Sequence, residues 1–204
     1  MAKDVIIASN NAHKVEEIRN ALTFEGWNFM TLAEAGIESD PEETGTTFWR
    51  NAHIKAEAAH KLSGKAVLAD DSGLVVDALH GEPGVYSSRY AGENATDEEN
   101  NAKLLKELEG VGNMYRGARF VCEMCFIDED GSEVNSRGEV HGMITFEPLG
   151  DNGFGYDPLF IPEDFEQRLT LAQVPQEKKN SVSHRGNALR QLREKLKTKG
   201  YSLL

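Results

Sequence analysis

The sequence predicts an α/β fold on a mixed β-sheet with flanking helices. Two observations carry that expectation. Strand-like apolar runs intermix with segments of helical periodicity along the chain, and a long hairpin of alternating strands occupies the second half.

The apolar run "VIIA" at residues 5–8 ends in "SNNAHK", after which Val15, Ile18 and Leu22 recur at helical spacing: strand, loop, helix. "ESDPEETGTT" holds Pro, Gly and acids with no apolar residue, an exposed loop. It feeds a second helix over 47–62, with Phe48, Ala52, Ala56 and Ala59 along it and Gly64 at its end. "KAVLAD" and "LVVDAL" read as strands around a "DDSG" turn in which Gly73 takes a positive φ. "GEPGVYSSRYAG" reads as loop. Thr96 and Glu99 make a capping box ahead of Leu104, Leu105 and Leu108, and Gly110 closes that helix. "ARFVCEMCFID" and "SEVNSRGEVHGMITF" are long strands joined through the turn "EDGS". "GDNGFGYDP" breaks all periodicity and "LFIP" gives a last short strand. Leu189, Leu192 and Leu196 then mark an amphipathic helix from Ser183 to near Gly200.

A chain of 204 residues with 39% apolar content suits one domain over 1–204. It carries no apolar run of membrane-spanning length, and "MAKDVIIASN" lacks the features of a signal peptide, so a cytoplasmic, soluble protein is expected. The net charge of -12 argues against non-specific binding to nucleic acid or an anionic membrane, leaving small anions held by a local cluster of cations. Cys122 and Cys125 have the spacing of a zinc or redox pair. On an alternating strand, however, residues three apart point to opposite faces, so both read as buried, reduced thiols. His13, His53, His60, His80 and His141 form no metal set and read as surface or supporting residues.

Asp70 and Asp71 stand between two apolar segments, where a carboxylate needs a cation, a metal or a set of hydrogen bonds. "SNNAHK" can face an anion with its backbone N–H groups, the helix N-terminus and the charge of Lys14, although a plain helix cap has the same composition. Neither a Walker nor a complete Rossmann glycine pattern is present. In "DPEETG", Glu42 and Glu43 lie upstream of the helix carrying Lys55. A second carboxylate reaching Asp71 would make a hard oxygen site suited to Mg2+ arriving with its nucleotide. "GFGYDP" offers two glycines that free the backbone, two aromatics that can face a planar ligand and an acid before a proline, although a turn whose aromatics plug the core has the same composition. "KKNSVSHRG" places Lys178, Lys179, His184 and Arg185 at a helix start, where cations oppose the helix dipole and point to an anionic or polar ligand, a solvated basic patch being the alternative.

Taken in order along the chain, "SNNAHK", "DPEETG", "FWRNAHIKA", "ADDSG", "PGVYSSRYAG", "GFGYDPLF" and "SHRG" resemble the inosine/xanthosine triphosphate pyrophosphatase family over residues 5 to about 195. The resemblance implies a homodimer of two-lobed α/β subunits with a substrate cleft between lobes. The implied activity is Mg2+-dependent hydrolysis of non-standard purine nucleoside triphosphates (ITP, dITP, XTP) to monophosphate and pyrophosphate. Carried onto this chain, it implies that Ser9, Asn10, Asn11, Ala12, His13 and Lys14 cradle the triphosphate and that Lys55 adds charge. Glu42 and Asp71 would hold Mg2+, with Asp71 also the base toward water and Ser72 a substrate contact. Phe154, Gly155, Tyr156, Asp157, Lys179, His184 and Arg185 would surround base and sugar, with Asp157 and Arg185 reading the purine edge.

Two rival readings remain. One is a septum-inhibitor-type pyrophosphatase acting on pyrimidine triphosphates, whose start motif ends in two arginines where this chain has His13 and Lys14. The other is a non-catalytic nucleotide-binding regulator, against which the presence of both Glu42 and Asp71 argues.

Overall fold

The computed structural model describes residues 3–165 and 168–203. Strands β1 (Lys3–Ile7), β2 (Trp27–Thr31), β3 (Ala66–Val76), β4 (Gly117–Ile127), β5 (Glu133–Ile144) and β6 (Phe160–Pro162) form one sheet in the order β2-β1-β3-β4-β5-β6. β1 runs parallel to both β2 and β3, whereas β5 and β6 are antiparallel, so the sheet is mixed as expected. The helices are α1 (Ala12–Ala21), α2 (Phe48–Ser63), α3 (Asp97–Glu107), α4 (Gln176–Val182) and α5 (His184–Thr198). The chain forms two compact units: Met1–Asp71, Cys122–Gly138 and Arg185–Leu204 in the first, Ser72–Val121 and Glu139–His184 in the second.

In the first unit the period-two alternation of the strands sorts side chains to two faces. Val5, Ile7, Leu68, Cys122 and Met124 pack with Val15 and Ile18 of α1 and with Leu189, Leu192 and Leu196 of α5. Ile6, Ala8, Val67, Ala69, Cys125 and Ile127 pack against Ala52, Ala56 and Ala59 of α2. The alanines let α2 lie close to the sheet, which brings Asn51 and Lys55 to Asp71 in the middle of β3. Cys122 and Cys125 thus occupy opposite faces as buried thiols outside any disulfide, and burial pushes Cys125 up to about 12.

The second unit gathers Leu74, Val76, Phe120, Ile144 and Phe160 from the strands around Leu104 and Leu108 of α3. The buried Arg116 donates to the carbonyls of Leu108, Ile144 and Thr145, tying the end of α3 to the sheet. The capping box at Thr96 and Glu99 forms as expected, and the 128–132 turn closes on Gly131 with φ 78.

Four expectations change. No turn forms at "DDSG": β3 runs unbroken through it, and Gly73 does not have a positive φ. Both aspartates take side-chain partners, and Leu74 N–H goes to Ser87 Oγ at 2.9 Å, so nothing forces the backbone to fold back. β2 forms where the sequence shows no strand pattern, because its residues are half-buried or exposed and do not alternate. "GEPGVYSSRYAG" contains a short 3₁₀ helix, Gly84–Arg89. The C-terminal basic segment belongs to two helices: Pro175 precedes α4, which carries Lys178 and Lys179, and Ser183 in extended conformation separates it from α5, which His184 and Arg185 open.

Candidate active site

Because β3 is extended, Asp70 and Asp71 point to opposite faces, and each meets its own cations. Asp70, 2% exposed, has Lys14 Nζ at 3.0 Å from Oδ2 and Arg185 Nε at 3.5 Å; the Sγ of Cys122 lies 3.9 Å away. Arg185 is equally buried and also donates to Glu17 at 2.6 Å. Burial alone would weaken its charge, but Asp70 and Glu17 outweigh it and hold the guanidinium firmly protonated.

Asp71 faces α2. Lys55 Nζ lies 3.4 Å from its Oδ1, and Asn51 Nδ2 donates to its Oδ2 at 3.2 Å. Lys55 also reaches Glu43 Oε1 at 3.3 Å, so one ammonium bridges two carboxylates. Burial pushes the Asp71 carboxyl above the usual carboxylate range; Lys55 and Lys14 oppose this, and Glu43 and Asp70 add to it. Burial would lower Lys55, but Asp71, Asp70 and Glu43 together raise it, so the lysine stays charged.

The donor set fits a hard divalent cation. Two carboxylates, Asp71 and Glu43, already share one cationic partner, and Mg2+ binds through one or two carboxylates together with substrate phosphates. Among the described residues no group of three or more His, Cys, Asp or Glu is placed to hold a metal, so the remaining ligands would come from phosphate and water. Glu42, the family-implied ligand, is exposed; Glu43 is the glutamate that Lys55 holds.

At the start of α1, Asn11 is the N-cap, its side chain accepting from Lys14 N–H at 3.2 Å, and Ser9 Oγ accepts from Asn11 N–H. Asn10, Ala12 and His13 are exposed. A groove of about 450 Å³ borders Ser9, Asn10 and Ala12 on one side and Thr31 and Leu32 on the other. It touches neither Asp71 nor Lys55.

In the second unit, Asp157 Oδ2 accepts from Phe154 N–H at 2.9 Å and pairs with Lys179 Nζ at 2.7 Å. Both side chains are 4% exposed. The Lys179 ammonium also sits 4.3 Å from the centre of the Phe154 ring. Gly153 must be glycine here: a Cβ would lie 2.1 Å from Asp157 Oδ2. Gly155 is gripped from α3, its N–H by Asp97 at 2.7 Å and its carbonyl by Asn101 at 3.0 Å. Tyr156 donates its hydroxyl to Ser87 O at 2.8 Å, and burial raises its pKa. His184 stacks on Phe120, ring centres 4.8 Å apart. Ser72 follows Asp71 on β3 and is half-buried.

The structure therefore joins Lys14 with Asp70 and Arg185, Lys55 with Asp71 and Glu43, and Lys179 with Asp157 and Phe154. Asp157 takes Lys179 as an ion-pair partner, and Arg185 takes Asp70 and Glu17. Sequence reasoning missed Asn51, Asp97 and Asn101. In a helix such residues look like ordinary polar positions, and only the burial of Asn51 and Asn101 distinguishes them.

The profile of the Ham1 family matches residues 5–195. A dITP/XTP pyrophosphatase of Bacillus licheniformis is 49% identical, covering 93% of this chain and 96% of the relative; that of Bacillus subtilis is 46% identical over 93% and 95%. Among solved structures, the Staphylococcus aureus Ham1 protein superposes with a TM-score of 0.88 at 43% identity, covering 97% of this chain and all of the other. The Mycobacterium abscessus nucleoside-triphosphatase, also named dITP/XTP pyrophosphatase, gives 0.78 at 40% identity, covering 93% and 98%. With near-complete coverage in both sequence and fold, this chain belongs to the Ham1 family.

Proposed function

We propose that this protein hydrolyses non-standard purine nucleoside triphosphates, dITP, ITP and XTP, to the monophosphate and pyrophosphate. The observation that carries the reading is the Lys55 ammonium set between Asp71 and Glu43, with Asn51 holding the other Asp71 oxygen. Buried carboxylates paired with cations in this way suit phosphoryl transfer, which is mostly positioning and charge stabilisation. The names of the relatives, dITP/XTP pyrophosphatase, support the substrate class.

In this reading Ser9 to Lys14 bind the triphosphate at the N-terminus of α1, and Lys55 moves onto phosphate oxygens as the substrate enters. Asp71, with a carboxylate of the Glu42–Glu43 pair, would hold Mg2+, which supplies positive charge to the phosphate oxygens. Asp71 orients the attacking water and takes its proton, a task helped by the upward push of burial on its basicity. The new bond forms between water oxygen and the α-phosphorus; the bond to the bridging oxygen breaks, and pyrophosphate leaves. Phe154 and Tyr156 flank the base, with His184 and Ser72 as further substrate contacts. The Lys179–Asp157 pair presents a donor and an acceptor to the purine edge, while Arg185 holds Asp70 and Glu17 and has further N–H groups to offer.

No helix among the described residues is long and apolar enough to cross a membrane. A homodimer is part of the proposal, and sedimentation of the purified protein tests it. The activity is tested by pyrophosphate release from a panel of nucleotides with Mg2+. Release from dITP and XTP is expected; a panel without turnover would favour a nucleotide-binding regulator.

A further inference from the structure

We infer that Asn51 is a positioning residue that couples the acidic loop to the Asp71 carboxylate, so that the two halves of the proposed cation site are set by one side chain. The inference rests on the function proposed above and deepens it.

Asn51 is completely buried in the first turns of α2, where an amide is costly unless its polar atoms are matched. Its two ends are used differently. Nδ2 donates to Asp71 Oδ2 at 3.2 Å, and Oδ1 accepts from Gly45 N–H at 2.8 Å. Gly45 closes "DPEETG", the loop that bears Glu42 and Glu43. Asn51 and Lys55 are one helical turn apart on the same face of α2, and together they grip both oxygens of Asp71. The carboxylate is therefore held from one rigid element, and the loop that bears the glutamates is tied at Gly45 to the same amide.

Gly45 shows how tight the coupling is. A Cβ there would stand 2.4 Å from Asn51 Oδ1 and 2.8 Å from Arg50 Cγ. The loop can approach the amide only because position 45 has no side chain. Gly45→Ala should then disturb the Asp71 carboxylate through Asn51 without altering any group that touches it.

The test compares wild type, Asn51→Leu, which is nearly isosteric and apolar, and Gly45→Ala. Two readouts are taken: binding of Mn2+ alone, followed by its electron paramagnetic resonance signal without nucleotide, and steady-state pyrophosphate release from dITP with Mg2+. The expected result for Asn51→Leu is a Mn2+ affinity at least about fivefold weaker and kcat at least about tenfold lower, with KM for dITP within threefold of wild type. Gly45→Ala should move both quantities in the same direction. A merely structural amide would lower the melting temperature and leave the Mn2+ affinity of the folded protein unchanged, and that result overturns the inference. If Asn51→Leu does not fold, Gly45→Ala decides alone: unchanged Mn2+ affinity and kcat overturn it. A wild type that binds Mn2+ but releases no pyrophosphate from any nucleotide would instead refute the proposed activity, and the Mn2+ comparison would still judge Asn51.

Discussion

Lys179 Nζ lies 2.7 Å from Asp157 Oδ2, and each side chain is only 4% exposed. A hydrogen-bond donor and an acceptor side by side match the O6 acceptor and N1–H donor of hypoxanthine and xanthine. Adenine offers the opposite polarity, an amino donor and a bare N1, and would leave both charges unmatched. Hydrogen-bonding sites reject such analogues by about 10⁴. kcat/KM for ITP and XTP is expected to exceed that for ATP by at least about a hundredfold, and Asp157→Asn should narrow the gap by weakening ITP. Equal wild-type rates on ATP and ITP would sink this base-reading scheme, whatever Asp71 does.

Asp71→Asn keeps the shape of the side chain and loses its charge and basicity. Turnover should nearly vanish, while the melting temperature holds or rises, because a buried carboxylate beside Glu43 and Asp70 is removed. Retention of more than about a tenth of kcat, a barrier change under about 1.4 kcal/mol, would contradict its assignment as base and metal ligand.

Attack at the α-phosphorus makes pyrophosphate in one step. In 18O-labelled water the label should enter the nucleoside monophosphate, detected by mass spectrometry. Label in inorganic phosphate, with nucleoside diphosphate accumulating, would show stepwise loss of the γ-phosphate instead.

A cluster outside the proposed site sets a pH dependence of stability. Lys3 and the Tyr201 hydroxyl both donate to Asp128, joining β1, the end of β4 and the C-terminal segment. Burial would raise Asp128, but these bonds outweigh it and hold the carboxyl below its ordinary 3.8. Burial would lower Lys3, yet the Asp128 and Tyr201 bonds raise it above its ordinary 10.5. The depressed Asp128 contributes stability above its unfolded pKa, and this is lost as pH falls through the folded value. The raised Lys3 contributes below its unfolded pKa, and this is lost as pH rises through the folded one. Asp128→Asn should cost about 1–2 kcal/mol near neutrality. Its melting-temperature gap to wild type should be flat from roughly pH 5 to 9.5 and close on both sides. A gap independent of pH down to pH 3 would show that charge is not the source.

What the sequence determined by itself is whatever local periodicity and capping encode. The strand–loop–helix at "SNNAHK", the Thr96–Glu99 box, the Gly64 stop of α2 and the opposed faces of Cys122 and Cys125 follow from neighbours within a turn or two. The order of the motifs was legible too, and with it the family. The tertiary structure decided how the charges pair. Whether "DDSG" turns or stays extended depends on Lys14, Arg185, Asn51 and Lys55, all brought in from other elements. Ser183 breaks the basic segment into two helices, so that Lys179 pairs with Asp157 from α4 while Arg185, opening α5, pairs with Asp70 and Glu17. Asn51 carries no local mark of its role, since an amide in a helix is costly or valuable only according to what surrounds it once buried. Buried polar pairing is a property of the packed chain, so it can be read only after the fold has chosen which distant groups share a place away from water.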